Sequence, residues 1–179
     1  KSRISLGASH DLRFYHDATT SRVENHTGNL DFTNYADDGD IIFQSDDASG
    51  GVTEYFRVDG GITKTVFTRD TKHLDSKKAL FGDQDDLQIY HDGTNNQVLT
   101  HNGHLTIEVG EDDHSMYLKC DNGSGGTTAY LTLDGGVGHS VASKAIRFND
   151  SVEAFFGTSD DLKIIHNGSH SYVSHVGTG

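Results

Sequence analysis

Histidine recurs in this chain at a fixed spacing. His16, His91 and His166 stand 75 residues apart. Each closes the same phrase: Asp11-Leu12-Arg13-Phe14-Tyr15-His16, Asp86-Leu87-Gln88-Ile89-Tyr90-His91 and Asp161-Leu162-Lys163-Ile164-Ile165-His166. In a β-strand, alternation puts each imidazole on the face that carries Leu12 and Phe14, Leu87 and Ile89, or Leu162 and Ile164. Imidazole is a good ligand for divalent transition metals. If that face lines the axis of a trimer, each phrase makes a ring of three imidazoles, and His16, His91 and His166 become candidate metal ligands. The competing expectation is a strand-end histidine, bonded to the following Asp17 or Asp92 or to a turn amide.

Other residues offer less. Asp83, Asp85 and Asp86 beside Gly82 supply oxygens of the kind calcium takes. Of these, only Asp86 has a carboxylate counterpart in the first phrase, Asp11, which reads as a turn cap. A glycosidase needs two placed carboxylates, and no non-repeated pair or interrupting loop stands out among the 27 acidic residues. There is no Gly-x-Ser-x-Gly elbow and no phosphate-binding loop. The lone Cys120, with Ser45 as its counterpart, cannot form a disulfide framework within the chain. The expectation is a protein without catalytic residues.

The elements that must hold these histidines follow from the repeat. A glycine precedes each phrase at the same distance, as Gly7, Gly82 and Gly157, so no insertion separates the copies. Residues 1–75 laid on 76–150 without gaps share 24 identities. The expected organisation is residues 1–75 as one β repeat, 76–150 as a second, and 151–179 as the start of a third, in a piece of a longer chain. Within each copy the apolar residues alternate: Leu87-x-Ile89-x-His91, Leu105-x-Ile107-x-Val109, Met116-x-Leu118-x-Cys120, Leu131-x-Leu133 and Ile146-x-Phe148. The first copy answers with Leu12-x-Phe14-x-His16, Leu30-x-Phe32, Ile41-x-Phe43 and Phe56-x-Val58. Period two predicts short strands with one apolar face. Glycine with Asn or Asp, as at Asp92-Gly93 and Asp134-Gly135-Gly136, predicts tight turns between them.

Composition narrows the class. Hydrophobic residues make up 33% of the chain, with 21 glycines, no proline and no tryptophan. No apolar run approaches the ~18 residues of a membrane helix. The net charge of −13, with no lysine or arginine cluster, argues against nucleic acid and anionic membranes as partners. These features predict an all-β fold of short strands and glycine turns. Three architectures satisfy it: a single-chain β-solenoid, a string of small β domains, and an intertwined homotrimeric fibre. The solenoid fits worst, because similar phrases are spaced irregularly within one copy. The fibre fits best, because three chains around a common axis bury one-sided strands that have few large apolar residues. Its interior would then hold Leu87, Ile89, Leu105, Ile107, Leu118, Leu131 and Leu133.

The phrase Phe81-Gly82-x-x-Asp85-Asp86-Leu87-Gln88-Ile89-Tyr90-His91-Asp92-Gly93, with the following Gly28-Asn29-Leu30 or Gly103-His104-Leu105, resembles a repeat of marine, cyanophage-like phage tail-fibre and virion structural proteins. The third copy departs from it at Ile165 and Asn167. The resemblance implies a structural segment of a virion tail fibre, trimeric and extracellular, that spaces a host-receptor-binding tip from the particle. Its implied partners are its own copies, other virion tail proteins and host surface glycan. The alternatives are a receptor- or glycan-binding adhesin module and, third, a polysaccharide-degrading tailspike.

Overall fold

The computed structural model describes residues 3–175. They hold fifteen β-strands and no helix, arranged as five separate three-stranded antiparallel sheets. The first sheet is β1 (Arg3–Leu6), β2 (Leu12–His16) and β3 (Ser21–Asn25). The second is β4 (Ile41–Asp46), β5 (Val52–Asp59) and β6 (Lys64–Phe67). The third is β7 (Ala79–Phe81), β8 (Leu87–His91) and β9 (Asn96–Thr100). The fourth is β10 (Met116–Asp121), β11 (Thr127–Asp134) and β12 (His139–Ala142). The fifth is β13 (Ala154–Phe156), β14 (Leu162–His166) and β15 (Ser171–His175). Contacts group the chain into two units, residues 1–102 with three sheets and 103–179 with two. The outermost ends of the first and third expected copies, residues 1–2 and 176–179, lie outside the described residues.

Each sheet is an up-down meander whose turns follow from local chemistry. Between β1 and β2 the chain turns on Gly7, at φ 86°, and the amide of His10 donates to the Gly7 carbonyl at 3.2 Å. The same bond closes on Gly82 and Gly157. Glycine is required there twice over. The φ is positive, and a Cβ on Gly82 or Gly157 would stand 2.6 Å from the carboxylate of Asp86 or Asp161. Between β2 and β3, Asp17 Oδ1 accepts from the amides of Thr19 and Thr20 at 3.2 and 3.0 Å. Asp92 accepts from Thr94 and Asn95, and Asn167 from Ser169 and His170, in the same way. These side chains imitate a backbone turn and fix the hairpin register.

The longer sheets carry a β-bulge. The register of β4 on β5 shifts after Phe43, and that of β10 on β11 after Leu118, so that Tyr55 and Tyr130 have no residue opposite them. Each tyrosine ties the bulge down by donating its hydroxyl across the strand pair, to the Asp46 carbonyl at 3.1 Å or the Asp121 carbonyl at 3.0 Å.

Strands touch only strands of their own sheet among the described residues. No hydrophobic side chain is buried among them, so the described residues of a single chain form no core. Three expected strands also do not form. Leu30–Phe32, Leu105–Val109 and Ile146–Phe148 lie in connections between sheets, without a strand partner. Alternation made these segments suited to a strand, but a strand also needs a neighbour to receive its N–H and C=O groups, and the chain offers them none.

Candidate functional site

The two faces of each sheet behave differently. On one face the cross-strand rows are apolar: Ile4–Phe14–Val23 and Leu6–Leu12 in the first sheet, Ala79–Ile89–Val98 and Phe81–Leu87 in the third, Ala154–Ile164–Val173 and Phe156–Leu162 in the fifth. The second sheet presents Phe43–Phe56–Phe67, with ring centroids 4.4 and 5.9 Å apart. The fourth presents Leu118–Leu131–Ala142 and Met116–Leu133. These rows stand in solvent, with Ile4 64% exposed and Val173 73%. Leu87, Ile89, Leu118, Leu131 and Leu133 lie in them, and none is buried within the chain.

The opposite faces satisfy themselves. Tyr15 donates to Glu24 at 2.6 Å, and Arg13 lies 4.0 Å from the same carboxylate. Lys78 donates to Gln88 at 2.7 Å, and Lys163 to Glu153 at 2.8 Å. Arg57 bridges Glu54 at 2.8 Å and Asp59 at 2.9 Å, with Asp40 at 3.3 Å. Among the described residues the most covered side chains are polar: Gln88 at 8% and Thr132 at 9% exposure, each on the face opposite the apolar rows. A lone soluble fold buries its apolar face and wets its polar one. Here the apolar rows stay open, and the polar groups of the opposite faces are covered beside Ile42, Leu80, Leu99 and Phe155, which are themselves exposed.

The polar contacts set the titration behaviour. The hydrogen bond from Tyr15 holds the Glu24 carboxyl below its ordinary range, and the same bond raises the Tyr15 phenol. The hydroxyl of Thr19, then the amide of Thr20, lowers Asp17. The amides of Asn95 and Thr94 lower Asp92. Hydrogen bonds that Arg57 donates to Glu54, then to Asp59, raise Arg57.

The three repeated histidines end the middle strands β2, β8 and β14, on the apolar face as the alternation predicts. They lie in three different sheets. His16 Nδ1 meets Ser21 Oγ at 3.2 Å and His166 Nδ1 meets Ser171 Oγ at 3.0 Å, across one strand pair in each case. His91 Nδ1 is shared: Asp75 Oδ1 lies 3.0 Å away, and the Gly93 amide donates to it from 3.2 Å. Nδ1 cannot accept from Gly93 and donate to Asp75 at once, so the two bonds exclude each other. Asp17 and Asp92 do not hold the histidines; they are occupied in the turns. Among the described residues no three His, Cys, Asp or Glu side chains come together in a way that could hold a metal ion. Any ring of imidazoles would have to draw one from each of several chains.

Sequence reasoning missed the bulge tyrosines Tyr55 and Tyr130, although a tyrosine at the same place in two copies, with glycines just before it, marks the position. It also missed the ion-paired polar faces, which no periodicity announces. Comparison with family models, with curated proteins and with solved structures finds no match to this chain.

Proposed function

We propose that this chain is a structural segment of a phage tail fibre or related virion appendage, assembled as a parallel homotrimer in which three copies cover one another's apolar faces. It is not an enzyme. Its work is to space and present a host-receptor-binding tip, on the outside of the particle, joined to other virion tail proteins. The phrase resemblance supplies the setting.

The observation that carries the assembly is the surface the chain leaves open. It exposes 14611 Å². A compact monomer of this mass exposes about 8,500 Å². The excess, about 6,000 Å², is larger than most obligate interfaces bury, and continuous apolar rows lie open on one face of every sheet, with scattered residues such as Ile42, Leu80 and Phe155 exposed on the other. In the trimer, His16, His91 and His166 would each meet their own copies, as rings that offer imidazole nitrogens to a transition metal.

The test is Ile89→Asp. An uncompensated carboxylate in a shared apolar interior costs several kcal/mol in each of three chains, so the trimer yield on a sizing column should collapse. Lys72→Asp, at an exposed position in the connection between the second and third sheets, is the control. Normal yield from Ile89→Asp would contradict the assignment of that face.

A further inference from the structure

We infer that residues Leu105–Val109 become a β-strand only by pairing with another copy of this chain, and that Leu30–Phe32 and Ile146–Phe148 do the same. The inference rests on the homotrimer reading and says where the chains are joined through their backbones.

Three observations converge on these segments. Their side chains have the strand period, with Leu105, Ile107 and Val109 on one side and Thr106 and Glu108 on the other, and with β-branched residues that suit a pleated surface. Their backbones are free: no backbone hydrogen bond within the chain involves residues 29–33, 104–109 or 144–148 among those described. Their apolar side chains are exposed, Ile107 at 69% and Phe32 at 65%. An unpaired, one-sided segment of this kind is a template for strand addition. Chains that must avoid such pairing place proline or lysine on the edge. This chain has no proline, and the single charge in each segment, Asp31, Glu108 or Arg147, stands on the side opposite the apolar residues.

The space beside two of the segments is shaped for an addition. Ile107 and Val109 border an open cleft of about 470 Å³, facing Met116 and Leu133 of the apolar face of the fourth sheet. Ile146 and Phe148 border another of about 450 Å³, facing Ala154 and Ile164 of the fifth. The second cleft is walled mainly by apolar side chains, and the first mixes Ile107, Val109, Met116 and Leu133 with the polar Glu108, His114 and Asp134.

The occupant is a second copy because of how the open surface is distributed. Leu30–Phe32 and Leu105–Val109 share the 75-residue spacing, so copies in parallel register bring each segment beside its own equivalent. The uncovered apolar rows occur on all five sheets. An identical chain running alongside covers all of them at once, whereas a compact ligand would cover one.

The experiment is hydrogen exchange with mass spectrometry on the full chain, with its state set by light scattering. In the assembled state, amides within 104–109 should exchange at least about 100-fold more slowly than in an unstructured peptide of the same sequence. Diluted to monomer, they should exchange at the peptide rate. Ile107→Pro and Glu108→Pro remove N–H groups that point to opposite edges of a strand. At least one should weaken assembly by about tenfold or more, while Glu108→Ala should not. An assembled chain with unprotected 104–109 amides overturns the inference and leaves the trimer standing. Protection that persists in the monomer overturns it in favour of pairing within one chain. A chain that never assembles overturns both.

Discussion

Phe43 and Phe56 stack across β4 and β5 with their planes 10° apart and their centroids at 4.4 Å, on a face where neither ring is buried. An aromatic pair contributes about 0.5–1.5 kcal/mol beyond its area. If Phe56 stayed as exposed as it is in the single chain, Phe56→Ala would cost no more than about that. If the face is the interior of an assembly, the cost rises to about 3–5 kcal/mol per chain, as for a core phenylalanine. Thermal melting of Phe56→Ala distinguishes the two, and the larger loss is expected.

Ala18 has φ 89°, whereas Gly93 and Gly168 occupy the same turn position in the third and fifth sheets. A Cβ in the left-handed region is strained, and glycine relieves it at some cost in unfolded-chain entropy. Ala18→Gly should stabilise by about 0.5–1 kcal/mol, and Gly93→Ala should destabilise by at least as much. Denaturant midpoints of the two variants check this; equal midpoints would contradict it.

Asp92 and Asn167 perform the same turn with the same two accepted bonds, and only the aspartate titrates. The folded value of Asp92 lies below its unfolded one. Its contribution is therefore full above the unfolded value and is lost as pH falls through the folded one. Asp92→Asn should keep the hairpin and flatten stability across that acid window. Melting temperature from neutral pH down to the acid limb shows whether wild type loses more than the variant, as expected.

Tyr15 and Glu24 give two windows from one bond. Glu24 is lowered, so its share is lost as pH falls through its folded value. Tyr15 is raised, so its share is present below the unfolded phenol value and is lost as pH rises through the folded one. Tyr15→Phe removes the Tyr15 share of the alkaline loss and weakens the acid one. Melting curves at both extremes of pH should show wild type losing more stability than Tyr15→Phe.

How much of this was legible in the sequence depends on how local each cause is. The turns were, because Gly82 and Asp92 determine their own geometry from adjacent residues. The strands Leu12–His16, Leu87–His91 and Leu162–His166 were as well, because each has its partners within a short hairpin reach. Leu105–Val109 is not a strand within the single chain: its alternation is real, but periodicity cannot say whether a neighbour exists. The histidines were placed on the right face, but their partners Ser21, Asp75 and Ser171 come from register and loop position, which the motif does not encode. The ionic network of Arg57 has no counterpart in the second copy, where Thr132 takes its place, and so no repeat could announce it.

The central claim is that the apolar faces are covered by other copies of the chain, and the mass in solution tests it most directly. Light scattering on the purified chain should give three times 19.5 kDa, with a sharp, concentration-dependent melting transition. A stable, folded species of 19.5 kDa that melts cooperatively would contradict it.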